Sequence, residues 1–234
     1  MRLAVKGKLS ANADKLKQRI LDCGYKLDSK RPDIVISYGG DGSLLHSERQ
    51  YPGIPKLAIR DKSLCLRCNR TGLEEILRRL SQAKYRIKEH AKAEAVIRKR
   101  DKVLKRIAAN DIVIRNREPY HALRFNVFVD GKKLAGYYRG AFVGDGIIVA
   151  TSFGSTGYFS SACRKRFKKG IGLAFNNPTR SQKPIVKPDP VFRIEIVRND
   201  AHVCTDNDKR LILIAEGDSV EIRKSAERMR RIII

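Results

Sequence analysis

The chain has 234 residues, and 50 Lys and Arg stand against 25 Asp and Glu, a formal net charge of +25. That length allows one large core or two small ones. The charge suits phosphates, nucleotides, nucleic acid or anionic membrane surfaces without choosing among them, and a plain basic surface explains it equally well. No run of about 18 apolar residues occurs, and Met1 to Lys6 is too short and too charged for a signal-peptide core. A soluble, cytoplasmic protein without a membrane partner is therefore expected.

Arg2 to Lys6 reads as a strand, and Ser10 to Cys23 carries Ala13, Leu16, Ile20 and Leu21 at helical spacing with Gly24 just beyond. Asp33 to Ser37 is a second strand that runs into Gly39-Gly40-Asp41-Gly42-Ser43, after which Leu44 to Arg49 predicts a helix. Pro52 to Pro55 ends that helix, Lys56 to Ile59 is a third strand, and Thr71 to Leu80 is a helix with Thr71 as its cap. Strands alternating with helices predict an α/β, Rossmann-like lobe with a parallel sheet over residues 1–92. Beyond it, β-runs follow one another: Ala95 to Arg98, Ile107 to Arg115, Leu123 to Val129, Ala135 to Tyr138, Gly146 to Ala150, Phe192 to Val197, Leu211 to Ile214 and Ser219 to Ile222. They predict an all-β, sandwich-like lobe over residues 93–234, with a C-terminal tail able to pack back on the first lobe. Asp130-Gly131 predicts a hairpin turn, because both residues tolerate positive φ.

The cysteines Cys23, Cys65, Cys68, Cys163 and Cys204 are odd in number and scattered, which predicts reduced thiols rather than a disulfide framework. Cys65-Leu66-Arg67-Cys68 has the spacing of half a zinc site, but no second pair of ligands accompanies it.

A strand ending in Gly39-Gly40-Asp41-Gly42-Ser43 offers backbone N–H groups and a helix start to a phosphate, without side chains in the way. A carboxylate within that turn can hold Mg²⁺ or another divalent cation, or take the proton of an attacking hydroxyl, as phosphoryl transfer to an alcohol requires. The alternative is a tight turn with glycine for positive φ and Asp41 as a cap. No Walker A pattern is present.

Further along, Gly144-Asp145-Gly146-Ile147-Ile148-Val149-Ala150-Thr151-Ser152-Phe153-Gly154-Ser155-Thr156-Gly157-Tyr158 is an apolar strand followed by a turn rich in small hydroxyls. Together with the glycine turn, it closely resembles the signature of the NAD kinase family. Asn110-Asp111 resembles the family's Asn-Glu pair, Lys183 to Pro188 its Arg-Pro-Ile-Val segment, and Asp206-Asn207 its late Asp-Gly. The resemblance covers most of the chain, from Ile34 to about Ile222. It implies a kinase that moves the γ-phosphate of ATP, or a phosphate of polyphosphate, to the adenosine-ribose 2′-hydroxyl of NAD. It also implies a homo-oligomer. Carried over, Asp41 is the catalytic carboxylate, Gly39, Gly40, Gly42 and Ser43 bind phosphate, and Asn110, Asp111, Asp145, Thr156, Gly157, Tyr158 and Asp206 contact the acceptor.

The departures fall on the acceptor side. Ala58 to Leu66 lacks the family's Asn, glycines and Phe, and brings in Arg60 and Lys62; Phe153 stands where the family has a small hydroxyl; Cys163-Arg164-Lys165 replaces Gly-Gly-Pro. Arg60, Lys62, Arg164 and Lys165 are candidates for extra phosphate contacts. Two rival readings follow: the same scaffold acting on another hydroxyl acceptor, a nucleotide or sugar, or a non-catalytic binder of nucleotide or nucleic acid.

Overall fold

The computed structural model describes residues 1–7, 11–60 and 65–234. The chain divides into two compact units, one of Met1–His90 with Arg228–Ile234 and one of Ala91–Glu227.

The first unit is α/β. Its elements are β1 (Arg2–Gly7), α1 (Ala11–Asp22), β2 (Lys26–Leu27), β3 (Ile34–Tyr38), α2 (Asp41–Gln50), β4 (Lys56–Ile59) and α3 (Leu73–Ser81). The strands pair in parallel in the order β2-β1-β3-β4, and Arg231 pairs in parallel with Lys56 at the edge of β4. Ile34, Ile36 and Leu57 pack against Leu16 and Ile20 of α1 and against Ile76, Leu77 and Leu80 of α3. β3 and β4 are buried almost throughout, which is why their sequences are near-continuous apolar runs rather than alternating ones.

Two helix starts differ from the expected ones. α2 begins at Asp41 rather than Leu44, with Gly40 in an extended conformation just before it; a carboxylate in the first turn is favoured by the helix dipole. α3 begins at Leu73 with Gly72 at the cap position and no side-chain cap bond, so Thr71 does not cap it.

The second unit is a β-sandwich. β5 (Arg86–Arg98), whose later residues belong here, is followed by β6 (Val103–Ala108), β7 (Asp111–Asn116), β8 (Leu123–Val129), β9 (Lys132–Lys133), β10 (Phe142–Gly144) and β11 (Gly146–Thr151). Next come a 3₁₀ turn (Gly154–Thr156), α4 (Tyr158–Cys163), β12 (Ile171–Asn176), β13 (Ile185–Lys187), β14 (Phe192–Arg198), β15 (Ala201–Thr205), β16 (Ile212–Ile214) and β17 (Ser219–Ile233). One sheet has the order β10-β8-β14-β17, with β5 pairing β17 and β6; the other runs β13-β12-β11-β7-β15-β16. Alternate residues of both, such as Phe125, Val127, Ile194, Ile147, Val149 and Leu173, share one core. β11 is buried along its whole length because its other face, Ile148 and Ala150, packs with Phe159 of α4.

The expected run Ile107 to Arg115 is two strands, broken at Ala109-Asn110. Ala135 to Tyr138 is not a strand but a loop with isolated bridges, Gly136 to Gly140 and Tyr138 to Ala141. The turn at Asp130-Gly131 has φ of 52° and 81° and joins β8 to β9 as a hairpin.

α2 is fastened to β4 by an ion pair removed from water: Lys56 Nζ meets Glu48 and also the carbonyl of Tyr51, with side-chain exposures of 0% and 3% for Lys56 and Glu48. Breaking such a pair on one side leaves a buried charge uncompensated. Glu48→Ala is expected to lower unfolding free energy by about 3–5 kcal/mol in a urea titration, with a smaller loss for Glu48→Leu combined with Lys56→Met.

Candidate active site

In the first unit, the chain turns from β3 into α2 through Gly39, whose φ is +136° and whose N–H donates to the Ile59 carbonyl at 2.9 Å. A Cβ there would stand 2.5 Å from Ser43 Oγ, so the position needs glycine for both conformation and space. Ser47 Oγ donates to Ser37 Oγ at 3.2 Å and ties the helix back to the strand.

Asp41 heads the helix half-buried. Its carboxylate accepts the Arg67 N–H at 3.1 Å on Oδ1 and the Leu66 N–H at 3.3 Å on Oδ2. The loop that supplies those amides is closed by a disulfide between Cys65 and Cys68, which corrects the expectation that all five thiols are reduced. Cys65 Sγ lies 3.3 Å from Asp41 Oδ1, a van der Waals contact in the disulfide. Arg231, from the C-terminal residues of this unit, donates to the Arg67 carbonyl. Its guanidinium is drawn below its ordinary pKa by burial and by Arg67, while Asp41 pulls the other way. His90 is pushed down to about 4, first by burial and then by Arg231, Lys88 and Arg67, so it is neutral at pH 7. Sequence distance hides Arg231, which no motif marks.

A cleft of about 720 Å³ in the same unit is lined by Tyr38, Ile59, Arg60, Cys65, Cys68 and Asn69 among others. Arg60 is therefore near the Asp41 loop, although Asp41 itself does not line the cleft; Lys62 lies outside the described residues.

In the second unit, the structure draws two other motifs onto the backbone of Ala109-Asn110-Asp111. The Asp206 carboxylate accepts N–H bonds from Ala109 at 2.9 Å, Asn110 at 2.7 Å and Asp111 at 3.4 Å. Thr151 N donates to the Asn110 carbonyl at 2.8 Å, and Thr151 Oγ1 to the Ala109 carbonyl at 2.6 Å. Gly154 packs so close that a Cβ would fall 2.2 Å from the Asn110 oxygen. Ser155 Oγ donates to the carbonyls of Ser152 and Phe167, each at 2.9 Å, which leaves Thr156, Gly157 and Tyr158 exposed on the turn.

The candidate residues differ in what their side chains contact. Asp206 turns its carboxylate to the 109–111 backbone and holds Asn110 and Asp111 in place. Asp145 is not brought to this turn: it precedes β11 and accepts from Asn177 at 3.3 Å, a strand length of roughly 20 Å from Thr151. Phe153 is buried, so its ring does not crowd the exposed turn. Of the basic run, Arg164 and Arg166 line a shallow depression of about 600 Å³ with Thr156, Ser160 and Ser161, whereas Lys165 does not. Phe167 packs edge-on against Phe159 at 5.1 Å and holds this loop to α4.

A comparison with family models matches residues 109–233 to the ATP-NAD kinase C-terminal domain. The chain belongs to that family. Among its relatives, an NAD kinase of Sulfurisphaera tokodaii is 32% identical over 160 residues, 66% of this chain and 59% of that protein. One of Sulfurimonas denitrificans is 28% identical over 196 residues, 80% of this chain and 64% of the relative. The chain thus spans under two thirds of the length of these two relatives. Among solved structures, yeast NADH kinase complexed with NADH superposes with a TM-score of 0.86 at 15% identity, covering 100% of this chain and 83% of that one. An NAD kinase from Archaeoglobus fulgidus in complex with ATP gives 0.79 at 20% identity, covering 99% and 93%. The fold is that of NAD kinases: an α/β lobe followed by a β-sandwich lobe.

Asp111 is 7% exposed, and burial, with the nearby Asp206 carboxylate adding to it, pushes its carboxyl up to about 7. The folded chain therefore keeps this proton where the unfolded chain has released it, and the contribution to stability falls as pH rises from about 4 through about 7. Asp111→Asn is expected to flatten that part of the stability profile, measured by urea unfolding at about pH 4.5 and about pH 7.5.

Proposed function

We propose that the protein is an ATP-dependent NAD kinase, and that Asp41 at the head of α2 is the base that activates the ribose 2′-hydroxyl. The observation that carries this reading is the Gly39–Ser43 turn, with a carboxylate at a helix start, in a chain with the NAD kinase fold and a matching family model. The hydroxyl oxygen bonds to the γ-phosphorus of ATP, the bond from that phosphorus to the β–γ bridging oxygen breaks, ADP leaves, and Asp41 takes the hydroxyl proton.

Among the described residues no group of three or more His, Cys, Asp or Glu side chains is placed to hold a metal. The Asp41 carboxylate at the helix start is a donor that suits Mg²⁺, which takes few carboxylates and completes its shell with phosphate oxygens and water. Asp41 would hold the ion with the nucleotide, and the ion would neutralise charge on the phosphates.

In this reading Gly40, Gly42 and Ser43 face the donor phosphates, while Asn110, Asp111, Thr156, Gly157 and Tyr158 bind NAD and Asp206 holds Asn110 and Asp111 in place. Arg164 adds a cation beside Thr156 for an acceptor phosphate. No helix among the described residues is long and apolar enough to cross a membrane; a cytoplasmic homo-oligomer is part of this reading, and the family match supports it.

A second reading, another hydroxyl acceptor with more phosphate, draws on Arg164 and Arg166, which crowd two guanidiniums around the same hydroxyls. Incubation with Mg²⁺ and ATP against NAD, NADH, nucleotides and sugars, followed by product identification, separates the two. NADP is the expected product. Asp41→Asn is expected to lower kcat by about 10²- to 10⁴-fold, the range for a positioned general base, and undiminished NADP formation by that variant would exclude Asp41 from the role. Arg164→Ala is expected to raise KM for NAD with kcat held, since a contact present equally in ground and transition state affects binding alone.

A further inference from the structure

We propose that Cys65 and Cys68 form a reversible thiol–disulfide pair that controls the availability of Asp41. The inference rests on Asp41 as the base of the reaction proposed above. The two sulfurs are bonded across a four-residue loop. The peptide groups inside that loop, Leu66 N–H and Arg67 N–H, are the ones that hold the Asp41 carboxylate, and Cys65 Sγ stands 3.3 Å from the same Oδ1 that Arg67 engages. The far end is anchored to the sheet: Asn69 N donates to the Ala58 carbonyl at 3.0 Å, and Ile234 N donates to Asn69 Oδ1 at 3.1 Å.

In the disulfide state the loop is covalently closed with both amides turned onto the carboxylate. A base must turn a free lone pair to the incoming hydroxyl; the loop amides occupy one of the two on each oxygen and hold the carboxylate in one orientation. Reduction parts the sulfurs and removes the constraint that keeps Leu66 and Arg67 on Asp41. The oxidised loop therefore restrains the reaction and the reduced loop permits it. Disulfides in reducing compartments are characteristically transient or redox-sensing, which suits this placement.

The chemistry balances with a hydroperoxide as oxidant. One thiolate attacks the peroxide oxygen to give a sulfenic acid and, from hydrogen peroxide, water after protonation; the second thiol displaces a further water from the sulfenic sulfur and forms the S–S bond. A dithiol reverses it by exchange.

The test uses the whole chain treated with hydrogen peroxide or dithiothreitol, with peptide mapping of the Cys65–Cys68 link, NADP formation, and hydrogen exchange at Leu66 and Arg67. The expected result is a Cys65–Cys68 link under peroxide, turnover lowered on the order of tenfold, part of what a positioned base supplies, slower exchange at both amides, and recovery on reduction. Cys65→Ser with Cys68→Ser is expected to keep its turnover in peroxide. Absence of the link, or a link formed with turnover unchanged, overturns the proposal. If neither form makes NADP, the kinase reading fails by itself, and amide exchange then decides: slower exchange in the linked form supports control of Asp41 by the loop, and equal exchange overturns it.

Discussion

The strand-to-helix turn at Gly39 is the constraint on which the first unit depends. β3 ends at Tyr38 and α2 begins at Asp41, so the chain must change direction across two glycines. Gly39 does this at a φ of +136°, with its N–H still bonded to Ile59 at the end of β4. A side chain here would meet the Ser43 hydroxyl and would be strained at this φ. From that one turn follow the position of Asp41 at the positive end of α2, the Ser47 to Ser37 bond and the reach of Glu48 to Lys56. The buried ion pair is poor value as a source of stability by itself. Its effect is on geometry, since it fixes the last turn of α2 against β4 while Gly39 fixes the first.

A comparable economy governs the second unit. The peptide groups of Ala109, Asn110 and Asp111 sit where the sheet ladder is broken between β6 and β7, and buried amides without partners are costly. Asp206 satisfies all three, Thr151 takes the carbonyls of Ala109 and Asn110, and Gly154 allows the next turn to lie directly on that backbone. Burial drives Asp111 toward its neutral form, and the neighbouring Asp206 carboxylate adds to that. The motif residues near the exposed turn are thus of two kinds, those that build the backbone and those left facing outward.

Much of this was legible in the sequence where local chemistry decides the outcome. The glycine turn, the Asp130-Gly131 hairpin and the buried β11 each follow from residue types over a few positions. What was not legible depends on partners distant in the chain. Nothing near Asp206 in sequence shows that it caps the 109–111 peptides. Asp145 and Thr156 belong to one motif, yet an extended strand separates them. β12 was missed because Ile171 to Asn176 follows a charged run that reads as a loop. The Cys65-Cys68 spacing was visible, but its meaning depends on the Asp41 carboxylate brought against the loop by the fold.

The excess of positive charge can also be read from its distribution. Many cations are already matched on the surface, as Arg2 is by Asp33, Arg78 and Arg79 by Glu75, and Arg210 by Asp208. Such exposed pairs contribute little to stability, so their main effect is to cancel field. Arg164, Lys165, Lys168 and Lys169 form no ion pair among the described residues, and all four are exposed on the loop that follows α4. These four cations beyond the Thr156 turn raise the local concentration of anions approaching that face. Because Phe167 and Ser155 fasten the loop to the turn, this field is fixed in position relative to Thr156. Fixed cations of this kind act on phosphate-bearing ligands before any specific contact forms, and salt weakens that attraction.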